Sequence, residues 1–252
     1  MIKTRIIPTL LYKEFTLVKG IRFDSWRRVG SLLQSVKVYN LREVDELVFL
    51  DITATLEGRS PDFKLIDDFA DECFMPLAIG GGVKTIEDVR RLLQCGADKI
   101  VINSAAFLRP ELVREAAQKF GSQCLVVSID AKKSPNGKYE VLICSGTKPT
   151  GIEPSVFARR VEMFGAGEIL LTSIDRDGTM MGYDIDLVQS VTNAVSIPVI
   201  ASGGAGNYEH TLDVLARGKA SAIALASVFH FTEITPLSVK QFLKQGGINV
   251  RL

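Results

Sequence analysis

The chain has 252 residues, 46% apolar and 8% aromatic, so it can bury a large core, and its length suits one α/β barrel as readily as two smaller domains. Its 30 basic and 29 acidic residues leave a net charge of +1, which excludes a global field steering it to nucleic acid or to an anionic membrane. Any anion-binding site must be local.

At the N-terminus, Pro8, Lys13 and Glu14 interrupt the apolar run, so neither a signal peptide nor a membrane span is expected there. Short β-rich runs then alternate with longer amphipathic stretches, the pattern of parallel strands joined by helical crossovers. Eight strands are read: Arg5 to Leu11, Glu46 to Asp51, Met75 to Ile79, Lys99 to Asn103, Cys124 to Asp130, Glu168 to Ser173, Pro198 to Ala201 and Ser221 to Leu225. Their near-continuous apolar character suits strands covered on both faces, and the expected fold is a single (β/α)8 barrel over residues 1–252. After the first strand, Ile21 to Ser31, with Trp26, Arg27 and Arg28, reads as a long polar loop over the active rim. In the third helix Thr85 caps the first turn with Asp88, Ile86, Val89 and Leu92 form one apolar stripe, and Gly96 ends it. Pro135-Asn136-Gly137 before the strand-like Lys138 to Cys144 predicts a β-hairpin inserted after the fifth strand.

Cys73, Cys95, Cys124 and Cys144 lack metal-type spacing, and His210 and His230 are the only histidines. No metal or other cofactor is expected, and a reducing cytoplasm is the expected compartment. His230, between Phe229 and Phe231, reads as a packed side chain.

The two halves of the chain resemble each other. Gly80-Gly81-Gly82 after Met75 to Ile79 matches Ser202-Gly203-Gly204 after Ile197 to Ala201, an offset of 122 from position 80 to position 202. The same offset lays Val44 to Val48 on Ala166 to Leu170, and Ile100 to Phe107 on Ala222 to Phe229. Such a register predicts two half-barrels with equivalent loops facing each other across the mouth. In each half a glycine-rich turn lets backbone N–H groups approach a phosphate, and a helix N-terminus adds favourable partial charge. Two phosphate sites are therefore expected, one from Gly81, Gly82, Asn103 and Ser104, the other from Gly178, Gly204, Ala226 and Ser227. They suit a small molecule phosphorylated at both ends. Asp51, Thr172 and Ser202 end strands on the same face, where polar groups usually serve the site, and Asp177 shares a turn with Gly178; all four are expected to bind substrate.

These segments, with Arg5-Ile6-Ile7-Pro8, Val18-Lys19-Gly20, Asp45 to Thr53, Ser128 to Lys132, Asp175 to Thr179 and Phe229-His230-Phe231, make the chain resemble the cyclase subunit of imidazole glycerol phosphate synthase. The match covers all eight units and is weakest between Thr9 and Leu41. The resemblance implies a barrel that takes ammonia from a glutaminase partner docked at its N-terminal face. The ammonia reacts with a bisphosphorylated ribulosyl-imidazolecarboxamide, giving imidazole glycerol phosphate and an aminoimidazolecarboxamide ribotide. It also implies an aspartate pair on the first and fifth strands as general acid and base, and Asp130 matches the fifth-strand member. The first-strand member is absent: the family's proline, cysteine, leucine, aspartate is here Pro8-Thr9-Leu10-Leu11. Leucine carries no proton. Arg5, Glu46, Lys99 and Glu168 match a charged ammonia gate at the barrel bottom, Asp98 a glutaminase-contacting position, and Lys19 a substrate-binding loop lysine.

In lacking this aspartate the chain resembles second-copy paralogues that supply ammonia for amidino-sugar synthesis in surface polysaccharide, and that resemblance implies a sugar amidotransferase as a further partner. Glu14-Phe15-Thr16, where the family has aspartate, glycine and arginine, points the same way. The alternative is a genuine histidine-pathway cyclase with a replaced acid-base group. The related barrel isomerase fits less well, since it too wants paired carboxylates and needs no ammonia gate. A non-catalytic activator or scaffold of the glutaminase is a reading of another class.

Overall fold

A computed structural model describes residues 3–42 and 44–252. From the N-terminus run β1 (Arg5–Lys13), β2 (Thr16–Ile21), β3 (Asp24–Gly30), α1 (Leu32–Leu41), β4 (Leu47–Asp51), α2 (Phe63–Ala70), β5 (Leu77–Gly80) and α3 (Ile86–Gln94). Then come β6 (Lys99–Ile102), α4 (Ser104–Leu108), α5 (Glu111–Phe120), β7 (Leu125–Lys133), β8 (Tyr139–Ile143), β9 (Lys148–Pro149) and α6 (Pro154–Met163). The chain closes with β10 (Glu168–Ser173), α7 (Ile185–Thr192), β11 (Val199–Ser202), α8 (Tyr208–Ala216), β12 (Ala222–Leu225), α9 (Ser227–Phe231) and α10 (Pro236–Gln245).

Strands β1, β4, β5, β6, β7, β10, β11 and β12 pair in parallel in that order, and β12 pairs back onto β1. Register passes from Leu11 through Leu50, Gly80, Val101 and Val126 to Glu168, two residues short of the Leu170 that leads through Ile200 and Ala222 to Arg5. One circuit therefore slips by eight residues, the stagger of a (β/α)8 barrel.

Alternation along the strands divides the core in two. Ile7, Val48, Ala78, Val101, Val126, Leu170, Ile200, Ala222 and Ala224 fill the barrel lumen, while the other face of each strand packs against the helices in a larger apolar shell. Local signals set helix starts: the Thr85 hydroxyl accepts from Asp88 N and the Asp88 carboxylate accepts back from Thr85 N, and Thr235 opens α10 in the same way with Ser238. No helix among the described residues is long and apolar enough to cross a membrane.

Two features differ from the sequence reading. The Ile21 to Ser31 segment is not a loop: Ile21 ends β2 and residues 24–30 form β3, an antiparallel hairpin that extends the first barrel strand over the mouth. Leu17 and Val18 are buried in it, and Glu14-Phe15 and Arg22-Phe23 take left-handed turn conformations at its two bends without glycine. Non-glycine turns hid it from the sequence. The internal repeat also shifts by one residue in its third element. Lys99 and Val101 of β6 face the lumen where Ala222 and Ala224 of β12 do, an offset of 123, because five residues rather than four join α8 to β12. The expected hairpin of β7 and β8 is present, turning at Ser134 to Lys138.

Candidate functional site

The C-terminal ends of the strands surround a cavity of roughly 340 Å³ at the barrel mouth. Its lining includes Leu11, Lys19, Asp51, Gly81, Gly82, Asn103, Ser104, Asp130, Thr172, Asp177, Gly178, Ser202, Gly204, Ala226 and Ser227. The fold thus brings together every residue expected at this face.

Each half contributes one glycine turn followed by a short helix. Gly81 and Gly82 have φ of 110° and 74°, and Gly203 and Gly204 have 91° and 113°, all in the left-handed region that other residues resist. A Cβ on Gly204 would collide with Gly182 O, and one on Gly178 with Gly20 O, so backbone must lie where a side chain would stand. Asn103 and Ala226 occupy the N-cap positions of α4 and α9, and Ser104 and Ser227 open those helices. Ser227 lines the cavity, and its Oγ is buried without a partner among the described residues. Lys84 and Arg109 add cationic side chains beside the first cradle.

Asp130 ends the lumen-facing row of β7 and is buried. Asn103 Nδ2 donates to its Oδ2 at 2.9 Å and to Ser128 O at 3.2 Å. Burial pushes the Asp130 carboxyl up to about 7; the hydrogen bond from Asn103 opposes this, the charge on Asp177 adds to it, and Ser128 opposes it again. Such a group exchanges protons readily near neutrality.

The barrel's twofold identifies what faces it. Leu11 pairs with Leu50 as Asp130 pairs with Thr172, and Leu50 and Thr172 are repeat equivalents. Leu11 therefore stands where the other half has its carboxyl. Ala226 likewise stands where the other half has Asn103, so both the carboxyl and its amide partner are absent from that side.

Lys19 is buried at the centre of β2, with Nζ donating to both Asp177 oxygens at 2.8 and 2.7 Å. Arg22 N donates to Asp177 O, so the turn after β10 fastens the hairpin down. Phe23 and Trp26 of the hairpin line the cavity. Asp51 lines the cavity and also holds its own loop. Its Oδ1 accepts from Thr53 N and Ala54 N, and its Oδ2 from Arg59 Nη1 at 3.0 Å, so it braces the loop after β4. His230 is half-buried, its pKa lowered to about 4 by burial and then by Lys19, consistent with a packed neutral ring.

At the opposite end, four charges close the lumen. Arg5 Nη1 donates to Glu46 Oε2 at 2.6 Å and Glu168 Oε2 at 3.1 Å, and Lys99 Nζ donates to Glu46 Oε2 at 2.7 Å and to both Glu168 oxygens at 3.2 Å. Acids and bases alternate around the ring. Burial by itself lowers the Arg5 pKa, but Glu168 and then Glu46 raise it above the ordinary guanidinium value. Asp98 is exposed beside this floor, its Oδ2 accepting from Leu77 N at 2.9 Å.

Phe23, Lys84, Arg109, Ser145 and Gly203 also line the mouth and were not singled out from sequence as site residues. Lys84, two residues beyond the glycine turn, carried a readable signal. Ser145 carried none, since it reaches the mouth only because the β8 hairpin folds over and its hydroxyl donates to Ile52 O. A protein-family model described as histidine biosynthesis protein matches residues 5–235, which takes in the strand ring, both glycine cradles and the charged floor.

Proposed function

The chain belongs to the histidine biosynthesis protein family of barrel enzymes, and on that premise we propose that it is a cyclase-like subunit that receives ammonia through its barrel from a glutaminase partner. The carrying observation is the closed ring of Arg5, Glu46, Lys99 and Glu168 on the axis that leads to Asp130. Four ion-paired side chains at a lumen floor are poor stabilisers, because desolvation offsets most of their attraction. A gate gives them a use: Lys99, on a flexible stem, can swing aside for a small neutral molecule and return to its two carboxylates.

Above the floor, Ala78, Ala222 and Ala224 keep the apolar layer small. The two cradles would hold the phosphates of a doubly phosphorylated ligand, laying its middle across Asp130. There the carboxyl, near its point of half-ionisation, gives or takes one proton. A reaction needing a second carboxyl would find Leu11 instead, at a rate cost of roughly 10²- to 10⁴-fold. That observation favours a second reading within the first: a specialised paralogue whose ammonia serves amidino-sugar synthesis for surface polysaccharide, with a sugar amidotransferase as final acceptor. A histidine-pathway cyclase and a non-catalytic activator of the glutaminase are the competing roles.

The test is nitrogen partitioning in the complex with a glutaminase subunit. Glu46→Gln and Lys99→Met should change the fraction of glutamine nitrogen that reaches product instead of solvent. If only glutamine hydrolysis responds and partitioning stays fixed, the barrel is an activator and conducts nothing.

A further inference from the structure

Among the described residues, Thr9 Oγ1 and Glu46 Oε1 are both buried without a hydrogen-bond partner, and both face the lumen. Thr9 and Val48 are direct neighbours across β1 and β4, and Glu46 is the next lumen-facing residue below Val48. The two atoms therefore lie on one wall, at either end of the apolar layer. Ala78, paired with Val48 on β5, keeps that wall free of a large side chain.

The surroundings of Thr9 make its hydroxyl unusual. Leu11 lies above it on β1, Ile7 below it, and Val48 beside it, none of which can pair it. The hydroxyl of its repeat equivalent, Ser128, is instead hydrogen-bonded to the Asp130 carboxyl. A hydroxyl unpaired in such a place is costly, and valine would fill the same volume without that cost. The residue makes physical sense if something small completes its bonding.

We infer that Thr9 binds one small neutral hydrogen-bonding molecule, ammonia or water, in the lumen between the charged floor and Asp130, with Glu46 Oε1 as an earlier contact on the same wall. A hydroxyl donates once and accepts twice, so it takes either guest without holding it as an ion pair would. The site stands on the buried hydroxyl alone; its use as an ammonia waypoint rests on the function proposed above. Thr9 is here a positioning residue, not a proton carrier.

The experiment is a set of high-resolution crystal structures of the full chain, Thr9→Ser and Thr9→Val, with thermal melts of each. The parent and Thr9→Ser should carry a density peak about 2.7–3.2 Å from the residue-9 hydroxyl, and Thr9→Val none. Thr9→Val should melt no higher than the parent, because a satisfied hydroxyl leaves no penalty to relieve. A parent lumen without that peak, or a Thr9→Val chain that melts higher, overturns the inference. Soaking with methylamine at alkaline pH separates the guests. A methyl appearing on the peak identifies an amine site; an unchanged peak identifies a water site, which leaves the Thr9 site standing and removes the ammonia role alone.

Discussion

Replacing Asp130 by asparagine should stabilise the barrel at alkaline pH and leave it unchanged in acid. The folded carboxyl has its pKa at about 7 against an ordinary 3.8, chiefly through burial. As pH rises past the ordinary value, the unfolded chain releases this proton while the folded chain keeps it. The parent therefore loses stability up to about pH 7, and beyond that the loss is constant. A difference of roughly three pH units sets the full loss at no more than about 4 kcal/mol. Asparagine has the same shape, and its Oδ1 can still accept from Asn103 Nδ2. Urea denaturation of parent and Asp130→Asn should give nearly equal stabilities at about pH 4 and a gap that opens toward pH 7. A gap independent of pH, or an asparagine variant less stable at alkaline pH, would refute the assignment of Asp130 as a buried, proton-holding carboxyl.

Other perturbations follow from the same geometry. Glu46→Ala removes the carboxylate shared by Arg5 and Lys99 and should cost about 3–5 kcal/mol in urea denaturation. Gly204→Ala, at φ 113° and against Gly182 O, should lower the melting temperature and abolish protection by inorganic phosphate at that cradle. Gly58→Ala, with φ 69° but nothing within 4 Å, should cost only about 1 kcal/mol and leave phosphate binding intact. Lys19→Met strands Asp177 in a buried site, and should expose the β2–β3 hairpin to limited proteolysis while the rest of the barrel stays resistant.

The barrel was legible because each ring strand is a short apolar run whose ends coincide with turns, and because Gly81-Gly82 and Gly203-Gly204 repeat across the two halves. Long-range partners were less legible. Nothing local announces that Lys19 reaches Asp177, 158 positions away, or that Asp51 spends its carboxylate on the following loop. The β2–β3 hairpin escaped notice because its bends use Glu14-Phe15 and Arg22-Phe23 in place of glycine or asparagine. A one-residue difference between helix and strand was likewise invisible to an offset taken from similarity alone, although Asn103-Ser104 and Ala226-Ser227 do both stand at helix starts. Leu11 was the opposite case: its apolar character was plain in the sequence, and the barrel's twofold shows which polar group it replaces.

The proposed function gives Asp130 the proton exchange above the charged floor, with Leu11 where a second carboxyl would serve. Turnover of the bisphosphorylated ribulosyl-imidazolecarboxamide with excess ammonium salt, measured for the parent and for Leu11→Asp, bears on it without any partner protein. The account predicts little conversion by the parent and a gain on the order of 10²-fold or more on restoring the second carboxyl. Efficient conversion by the parent, unimproved by Leu11→Asp, would contradict it.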